Sequence, residues 1–197
     1  MPNGQQPPQN GAAAAGNGTF RDVAEDSWFY DAVKYAYEKG LMTGVSADTF
    51  DPNGTCTRAQ IVTILYRLAG SPSVSGASFS DVTAGAWYAD AVAWANANGI
   101  VNGYADGSFA PNEAVTREQL AVILYRYAQY AKRDTSAAAG LSGYTDGGAV
   151  SSYAGTAMAW ANAEGLITGT DGNALLPRSS ATRAQVAAIL MRFLENA

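Results

Sequence analysis

Apolar residues recur at helical spacing in six segments of the chain. In three of them the apolar residues fall on every third or fourth position after a threonine, which places them on one face of a helix. These stripes are Ile61, Ile64, Leu65 and Leu68; Leu120, Ile123, Leu124 and Tyr127; and Val186, Ile189, Leu190 and Phe193. A shorter stripe precedes each of them, the first within a segment from about Trp28 to Lys39. The pattern predicts an all-α chain with six main helices.

The same residues return at two fixed offsets, which indicates three copies of one unit. Thr57, Thr116 and Thr182 are 59 and 66 residues apart, and each is followed by Arg and, two residues later, by Gln. The predicted repeats span residues 19–70, 79–133 and 143–197 and form one triplet domain. Residues 1–18 are rich in Pro, Gly, Asn, Gln and Ala, which is typical of a flexible linker.

Each repeat carries signals for a helix–loop–helix unit. A threonine with glutamine three residues later predicts a capping box at the start of the second helix. A glycine just after the first helix predicts a left-handed closing residue; these glycines are Gly40, Gly99 and Gly165. Phe50, Phe109 and Leu175 are expected to anchor the loop between the helices. Because two helices alone cannot bury such stripes, three repeats are expected to share a core with pseudo-threefold symmetry.

Composition and charge exclude several functions. The chain has 197 residues and a net charge of −5, so nucleic acid is a poor partner. It has no histidine, which removes Ser-His-Asp catalysis and imidazole metal sites, and we expect neither a metal nor a cofactor. Cys56 is the single cysteine and is expected to be a small apolar residue. No membrane span and no opening export signal is expected.

The motifs of the second repeat resemble those of the S-layer homology (SLH) module. They comprise Phe79-Ser80-Asp81-Val82, Trp87, the run Gly103–Pro111 and Thr116-Arg117. The resemblance covers about residues 19–197, and three tandem copies are the usual complete unit of that family. It implies a three-pronged spindle that attaches a larger surface protein, without covalent bonds, to the bacterial cell wall. This location is extracellular, in the cell wall or S-layer.

The resemblance also implies a ligand and a site. The implied ligand is a secondary cell-wall polysaccharide, often ending in a pyruvate ketal on N-acetylmannosamine, which binds in grooves between neighbouring prongs. The implied carbohydrate-binding residues are Arg58, Arg117, Arg183, Asp22, Asp81, Asp146, Trp28, Trp87, Tyr153, Gly44, Gly103 and Gly169. The arginine is the group implied to meet the pyruvate carboxylate.

Physical chemistry is consistent with these assignments. Each motif arginine stands at the first position of a capped helix, where the dipole and free amides favour an anion. The guanidinium can pair with both oxygens of a carboxylate. An indole can support a sugar ring, an aspartate can accept from sugar hydroxyls, and a glycine either admits the sugar or shapes the loop. A purely structural salt bridge between each arginine and an aspartate is the alternative.

Other positions are expected outside the site. Arg67, Arg126 and Arg192 lie nine residues after the motif arginines and so nearly opposite to them on the helix, where they would pair with the dipole or with rim carboxylates. Trp94 and Trp160 are expected in the core.

Two features depart from the SLH pattern. Gln60, Gln119 and Gln185 replace the family's usual glutamate, which preserves the cap and removes a negative charge. The third repeat has Tyr153 for the Trp, so its groove is expected to be weak or inactive.

Two other functions stay open at this point. A helical-repeat module can bind proteins or assemble with itself, in which case a pyruvylated sugar has no effect. A glycoside hydrolase needs two carboxylates about 5–9 Å apart in one cleft. The threefold pattern argues against the hydrolase, because symmetric Asp–Arg sites offer no distinct acid and base. The favoured reading is non-catalytic attachment to the cell wall.

Overall fold

The computed structural model describes residues 20–74 and 79–196. The predicted linker, residues 1–18, lies outside the described residues. Within these ranges the chain forms six α-helices: α1 (Tyr30–Glu38), α2 (Arg58–Leu68), α3 (Ala89–Ala97), α4 (Arg117–Tyr130), α5 (Gly155–Ala163) and α6 (Arg183–Glu195). Two short 3₁₀ helices, Gly147–Ala149 and Ser152–Ala154, precede α5. Within the described ranges the chain forms no β-strand, which confirms the predicted all-α class.

The capping boxes form at the start of α2, α4 and α6. At α4, Thr116 Oγ1 accepts from the amide of Gln119 at 3.2 Å, and Gln119 Oε1 accepts from the amide of Thr116 at 3.1 Å. The helix therefore begins where the sequence predicted, with its third amide satisfied by the cap residue.

The first helix of each repeat ends as predicted. The φ angles of Gly40, Gly99 and Gly165 are 66°, 69° and 67°. The residue after each glycine turns back on its helix; for example, the Leu41 amide donates to the Ala36 carbonyl at 2.8 Å. These glycines therefore close the helices in the left-handed conformation.

The chain divides into two compact units, each built from more than one repeat. In the first unit, described by residues 20–54 and 182–195, α1 packs against α6. In the second unit, described by residues 55–74, 79–181 and 196, α2 packs against α3 and α4 packs against α5. Each pair joins the second helix of one repeat to the first helix of another. The repeats therefore bury their apolar stripes against one another, while the three-pronged arrangement stays a prediction.

Aromatic residues support the helix pairs. The Trp94 ring on α3 lies 5.5 Å from the Tyr66 ring on α2, and the Trp160 ring on α5 lies 5.4 Å from the Tyr125 ring on α4. Both tryptophans are buried, which confirms their place in the core. Cys56 is buried as well. None of the helices in the described part of the chain has the length and apolarity needed to cross a membrane.

The loop between the helices folds over an aromatic residue from the start of its repeat. Phe109 is fully buried, and its ring lies 5.4 Å from the Phe79 ring. Gly103 has a φ of 64°, and a Cβ at this position would collide with the Phe79 ring and with the Ser108 carbonyl. The glycine is therefore required by the loop. Phe50 and Leu175 are also fully buried, which confirms all three loop anchors.

Gly103→Ala should destabilise the protein more than Gly107→Ala. Both glycines have positive φ, which costs a residue with a side chain about 1–2 kcal/mol. Only Gly103 also faces a collision, which adds about 1–3 kcal/mol of overpacking, because a Cβ at Gly107 would meet no atom within 4 Å. Urea unfolding measures both losses. Equal losses in the two variants would contradict this account of the loop.

Candidate functional site

One peptide group in each loop is hydrogen-bonded at both of its ends. The carbonyl of Phe109 accepts from Arg58 Nε at 2.8 Å. The amide of the same peptide group, on Ala110, donates to Asp81 Oδ2 at 2.7 Å, and the Phe109 amide donates to Asp81 Oδ1 at 2.8 Å. Asp81 and Arg58 thus clamp one loop peptide between opposite charges. We call this arrangement the peptide clamp.

The peptide clamp occurs three times. The equivalent partners are Asp146, Leu175, Leu176 and Arg117 in the second unit, and Asp22, Phe50, Asp51 and Arg183 in the first. The residue after each clamped carbonyl, Ala110 in the second repeat, has a positive φ. In every clamp the arginine belongs to a different repeat from the loop. The clamp therefore fixes an unfavourable loop conformation and ties two repeats together.

The peptide clamp replaces the salt bridge that the sequence left as an alternative. The ion pairs found within the described residues are Arg21–Asp48 and Lys34–Glu38, and neither contains a motif arginine or a motif aspartate. The aspartates accept from backbone amides of the loop instead. Their observed role is to hold the loop.

The helix amides that were expected to be free are hydrogen-bonded. The Arg58 amide donates to the Glu113 carbonyl at 2.9 Å, and the Ala59 amide donates to the Pro111 carbonyl at 3.0 Å. The Gln60 amide donates to Thr57 Oγ1. The first amides of α4 and α6 are occupied in the same way. The expectation of free amides at the helix starts is therefore wrong, because a loop from another repeat caps each helix.

The three motif arginines differ in what remains available to a ligand. All three are buried. Arg117 Nη2 also donates to the Thr168 carbonyl at 3.0 Å, and Arg183 Nη2 donates to the Thr43 carbonyl at 2.6 Å. For Arg58, the Nε bond is the one hydrogen bond of its side chain that the described residues provide. The terminal nitrogens of Arg58 thus make no hydrogen bond to the described residues.

Two aromatic rings surround the Arg58 guanidinium. Its Cζ lies 4.7 Å from the centre of the Phe109 ring and 5.1 Å from the centre of the Tyr104 ring. Burial lowers the pKa of Arg58, while Tyr104 and the carboxylates of Glu113 and Asp81 oppose that shift. Arginine stays charged in proteins, so this group is a fixed, poorly hydrated cation. Such a cation attracts an anion more strongly than one in bulk water.

Arg58 lines a pocket of about 340 Å³ in the second unit. Its walls come from all three repeats, and they comprise Arg58, Ile100, Val101, Asn102, Gly103, Tyr104, Gln119, Val122, Ile123, Arg126 and Tyr153. Three of the predicted site residues, Arg58, Gly103 and Tyr153, meet here. The lining contains two cations, two tyrosines and apolar side chains, and no carboxylate.

Arg126 lines the pocket, although its position in the sequence predicted it outside the site. That prediction rested on the spacing between Arg117 and Arg126, which places the two side chains on nearly opposite faces of the helix. The pocket instead follows the face of α4 that carries Gln119, and Arg126 lies seven residues after Gln119, two helical turns along the same face. The spacing of seven residues between Gln119 and Arg126 is the sequence signal that could have identified Arg126 as a pocket residue. The two ion pairs of the described residues do not include Arg126.

Gln119 and Tyr104 form a neutral wall of this pocket. Gln119 Nε2 donates to the Tyr104 hydroxyl oxygen at 3.2 Å, and the Tyr104 hydroxyl donates to Glu113 Oε2 at 3.4 Å. The glutamine both completes the helix cap and lines the pocket. A glutamate in its place would put a negative charge beside Arg58 and Arg126. The departure from the SLH pattern therefore makes the pocket more suitable for an anion.

Tyr153 lines the pocket and donates its hydroxyl to Glu118, which lies outside the lining. The side chain is 57% exposed, and its hydroxyl donates to Glu118 Oε1 at 3.1 Å. Burial of the hydroxyl and the neighbouring Glu118 carboxylate raise the pKa of Tyr153 to about 12. The phenol therefore stays protonated at physiological pH.

The remaining predicted residues lie outside the lining of this pocket. Trp28 is exposed and its ring meets Phe29 edge-on at 5.3 Å, while the half-buried Trp87 ring meets Tyr88 at 5.1 Å. A Cβ on Gly44 would collide with the Phe20 ring, and one on Gly169 would collide with the Tyr144 ring. These two glycines thus shape their loops in the same way as Gly103.

The clamp at Asp146 should make stability depend on pH. Hydrogen bonds from the amides of Leu175 and Leu176, together with Arg117, hold the pKa of Asp146 below its ordinary value against an opposing effect of burial. A carboxylate whose pKa is lowered by folding stabilises the protein above its unfolded pKa of about 3.9, and this contribution is lost as pH falls through the folded pKa. Asp146→Asn keeps only one of the two acceptor oxygens and removes the negative charge. It should therefore lower the melting temperature at neutral pH.

Thermal unfolding of the wild type and Asp146→Asn from about pH 7 to about pH 2 measures this contribution. The melting temperatures of the two proteins should become equal at the lowest pH values, where the wild-type carboxylate is protonated. A constant difference at every pH would show that the charge of Asp146 does not act on the loop.

One family model and several known proteins match this chain. The family model described as "S-layer homology domain" matches residues 19–62, 78–121 and 143–187. An amylopullulanase of Thermoanaerobacterium thermosulfurigenes is 33% identical over 181 residues, which cover 90% of this chain and 10% of that protein. The surface-layer 125 kDa protein of Lysinibacillus sphaericus is 31% identical over 169 residues, 84% of this chain and 14% of that protein.

A cellulosome-anchoring protein of Acetivibrio thermocellus is 26% identical over 164 residues, 79% of this chain and 36% of that protein. The chain thus spans between a tenth and about a third of the length of these three relatives.

Proposed function

This chain belongs to the S-layer homology domain family, whose members are cell-surface anchoring modules, and we propose that it binds an anionic sugar terminus of the secondary cell-wall polysaccharide. Its location is the bacterial cell surface, as its surface-layer relatives indicate. The proposed ligand is a pyruvate ketal on N-acetylmannosamine. In the same proposal, the chain is one module of a larger surface protein, which it attaches to the cell wall.

The single observation that carries the proposal is the pairing of two guanidinium groups in one pocket. Arg58 and Arg126 both line the 340 Å³ pocket, and its lining contains no acidic side chain. A carboxylate can accept hydrogen bonds from both groups, and charge-assisted bonds of this type are about twice as strong as neutral ones. The charged residues of the lining are therefore all cations, within a protein whose net charge is −5.

The remainder of the pocket suits the body of a sugar. The rings of Tyr104 and Tyr153 offer flat apolar surfaces on which a pyranose can rest, and both are more than a third exposed. Gln119 and the backbone at Gly103 offer polar groups for hydroxyls. A glycoside hydrolase needs two carboxylates in its cleft, and this lining does not supply them.

Within the predicted site, we assign Arg58, Gly103 and Tyr153 to this pocket, together with Arg126, Gln119 and Tyr104. Ligand contacts at the other predicted residues stay predictions: they are Arg117, Arg183, Asp22, Asp81, Asp146, Trp28, Trp87, Gly44 and Gly169. The binding capacity of further grooves between prongs stays a prediction as well.

Arg126→Ala should weaken binding of pyruvylated N-acetylmannosamine by about 10-fold or more, the equivalent of one charge-assisted hydrogen bond. Arg126 is a better choice than Arg58, because Arg58 also clamps the Phe109 peptide. Isothermal titration of each variant with the sugar measures the affinity.

Arg178→Ala is the matched control for this variant. Arg178 is an exposed arginine of the same unit, outside the pocket lining, so the change removes the same charge. It should bind like the wild type, and the sugar without its pyruvate should bind the wild type much more weakly. Wild-type affinity in Arg126→Ala, or equal affinity for the two sugars, would reject the proposed site.

A further inference from the structure

Glu118 is a buried carboxylate with no counterpart in the other repeats. It is the residue after the motif arginine, where the first and third repeats have Ala59 and Ala184. Its side chain lies at the start of α4 and is only 4% exposed. A buried charge is costly unless its oxygens are hydrogen-bonded, so its partners indicate why it is tolerated.

The three described hydrogen bonds to the Glu118 carboxylate come from two residues of the segment that leads into α5. Ser151 donates its amide to Oε2 at 3.0 Å and its hydroxyl to Oε1 at 2.8 Å. Tyr153 donates its hydroxyl to Oε1 at 3.1 Å. The segment Ser152–Ala154 is a short 3₁₀ helix, which these bonds fix at one end. Glu118 thus holds the backbone and the hydroxyl of the segment that carries the pocket tyrosine.

The bond to Glu118 determines what the Tyr153 hydroxyl can offer a ligand. A phenol has one proton to donate, and here that proton is directed at Glu118 Oε1. The phenol oxygen then acts towards a ligand as an acceptor. A ligand carboxylate next to this oxygen would also be repelled by Glu118, whereas a hydroxyl or an amide N–H would be attracted.

We propose that Glu118 is a positioning residue that fixes Tyr153 as an acceptor for a neutral donor of the bound sugar, a hydroxyl or the N-acetyl N–H. The sugar then binds in one orientation, with its carboxylate at Arg58 and Arg126 and its neutral donors at Tyr153. This inference rests on the proposed function, because it concerns the same pocket and ligand. The first and third repeats have alanine at the position of Glu118, so neither can hold a tyrosine in this way.

A double-mutant cycle between Glu118 and Tyr153 tests the inference. Glu118→Ala introduces the residue that the other two repeats have at this position, and Tyr153→Phe removes the hydroxyl while keeping the ring. Each variant should bind pyruvylated N-acetylmannosamine about 3- to 10-fold more weakly than the wild type in isothermal titration. The double variant should lose no more than either single variant, because Glu118 acts through the hydroxyl.

Controls separate this role from a structural one. Glu164→Ala removes a carboxylate outside the pocket lining and should bind like the wild type. Glu118→Gln keeps an oxygen that can accept from Tyr153 and should recover part of the affinity lost in Glu118→Ala. Thermal unfolding establishes that every variant is folded at the temperature of the titration.

The outcomes distinguish the inference from the proposed function. If Arg126→Ala loses affinity but the losses of Glu118→Ala and Tyr153→Phe multiply in the double variant, the role of Glu118 is overturned and the proposed function stands. Wild-type affinity in Glu118→Ala would likewise overturn the role of Glu118 and leave the proposed function intact. If the wild type does not bind the pyruvylated sugar, both are overturned.

Discussion

The peptide clamp is the interaction on which the rest of the structure depends. A loop peptide such as Phe109–Ala110 is held by a carboxylate at its amide and by a guanidinium at its carbonyl. The loop needs this support because Ala110 has a φ of 56°, a conformation that costs about 1–2 kcal/mol for a residue with a side chain. Since the arginine comes from another repeat, the loop of one repeat is completed only by a neighbour. Sequence repeats and folded units therefore do not coincide, and each helix pair contains helices of two repeats.

The same clamp holds one residue of the pocket lining, Arg58. The Nε bond to the Phe109 carbonyl fixes the Arg58 side chain, and the rings of Phe109 and Tyr104 cover the guanidinium. The Arg58 side chain is then held in place in the absence of a ligand, so less conformational entropy would be lost on binding the proposed sugar. One side chain can thus combine a structural role with the proposed binding role, because Nε holds the loop and the terminal nitrogens make no hydrogen bond to the described residues. Arg117 and Arg183 use one more nitrogen for a loop carbonyl, which makes Arg58 the most available of the three.

Local features of the fold could be predicted from the sequence, and long-range ones could not. The helix starts at Thr57, Thr116 and Thr182 and the closing glycines follow from rules that act within four residues. The pairing of α2 with α3 depends on the whole chain, and the stripes give no sign of which partner each helix takes.

The site shows the same division between local and long-range features. The motif arginines were identified, but their bonds to carbonyls were not, since no short motif marks a backbone acceptor 51 residues away. Arg126 was predicted outside the site from its position relative to Arg117, whereas the pocket lining follows the face of α4 that carries Gln119 and includes Arg126. The role of Glu118 could not be predicted, because its side-chain partners, Ser151 and Tyr153, are more than 30 residues away in the sequence.

A crystal structure of the protein with pyruvylated N-acetylmannosamine is the most direct measurement of the central claim, that the pocket beside Arg58 receives the charged end of a wall sugar. The account predicts the pyruvate carboxylate within hydrogen-bond distance, about 3 Å, of the guanidinium groups of Arg58 and Arg126. It also predicts the sugar ring against Tyr104 or Tyr153. A sugar bound with its carboxylate away from both arginines, or an empty pocket at saturating sugar, would contradict it.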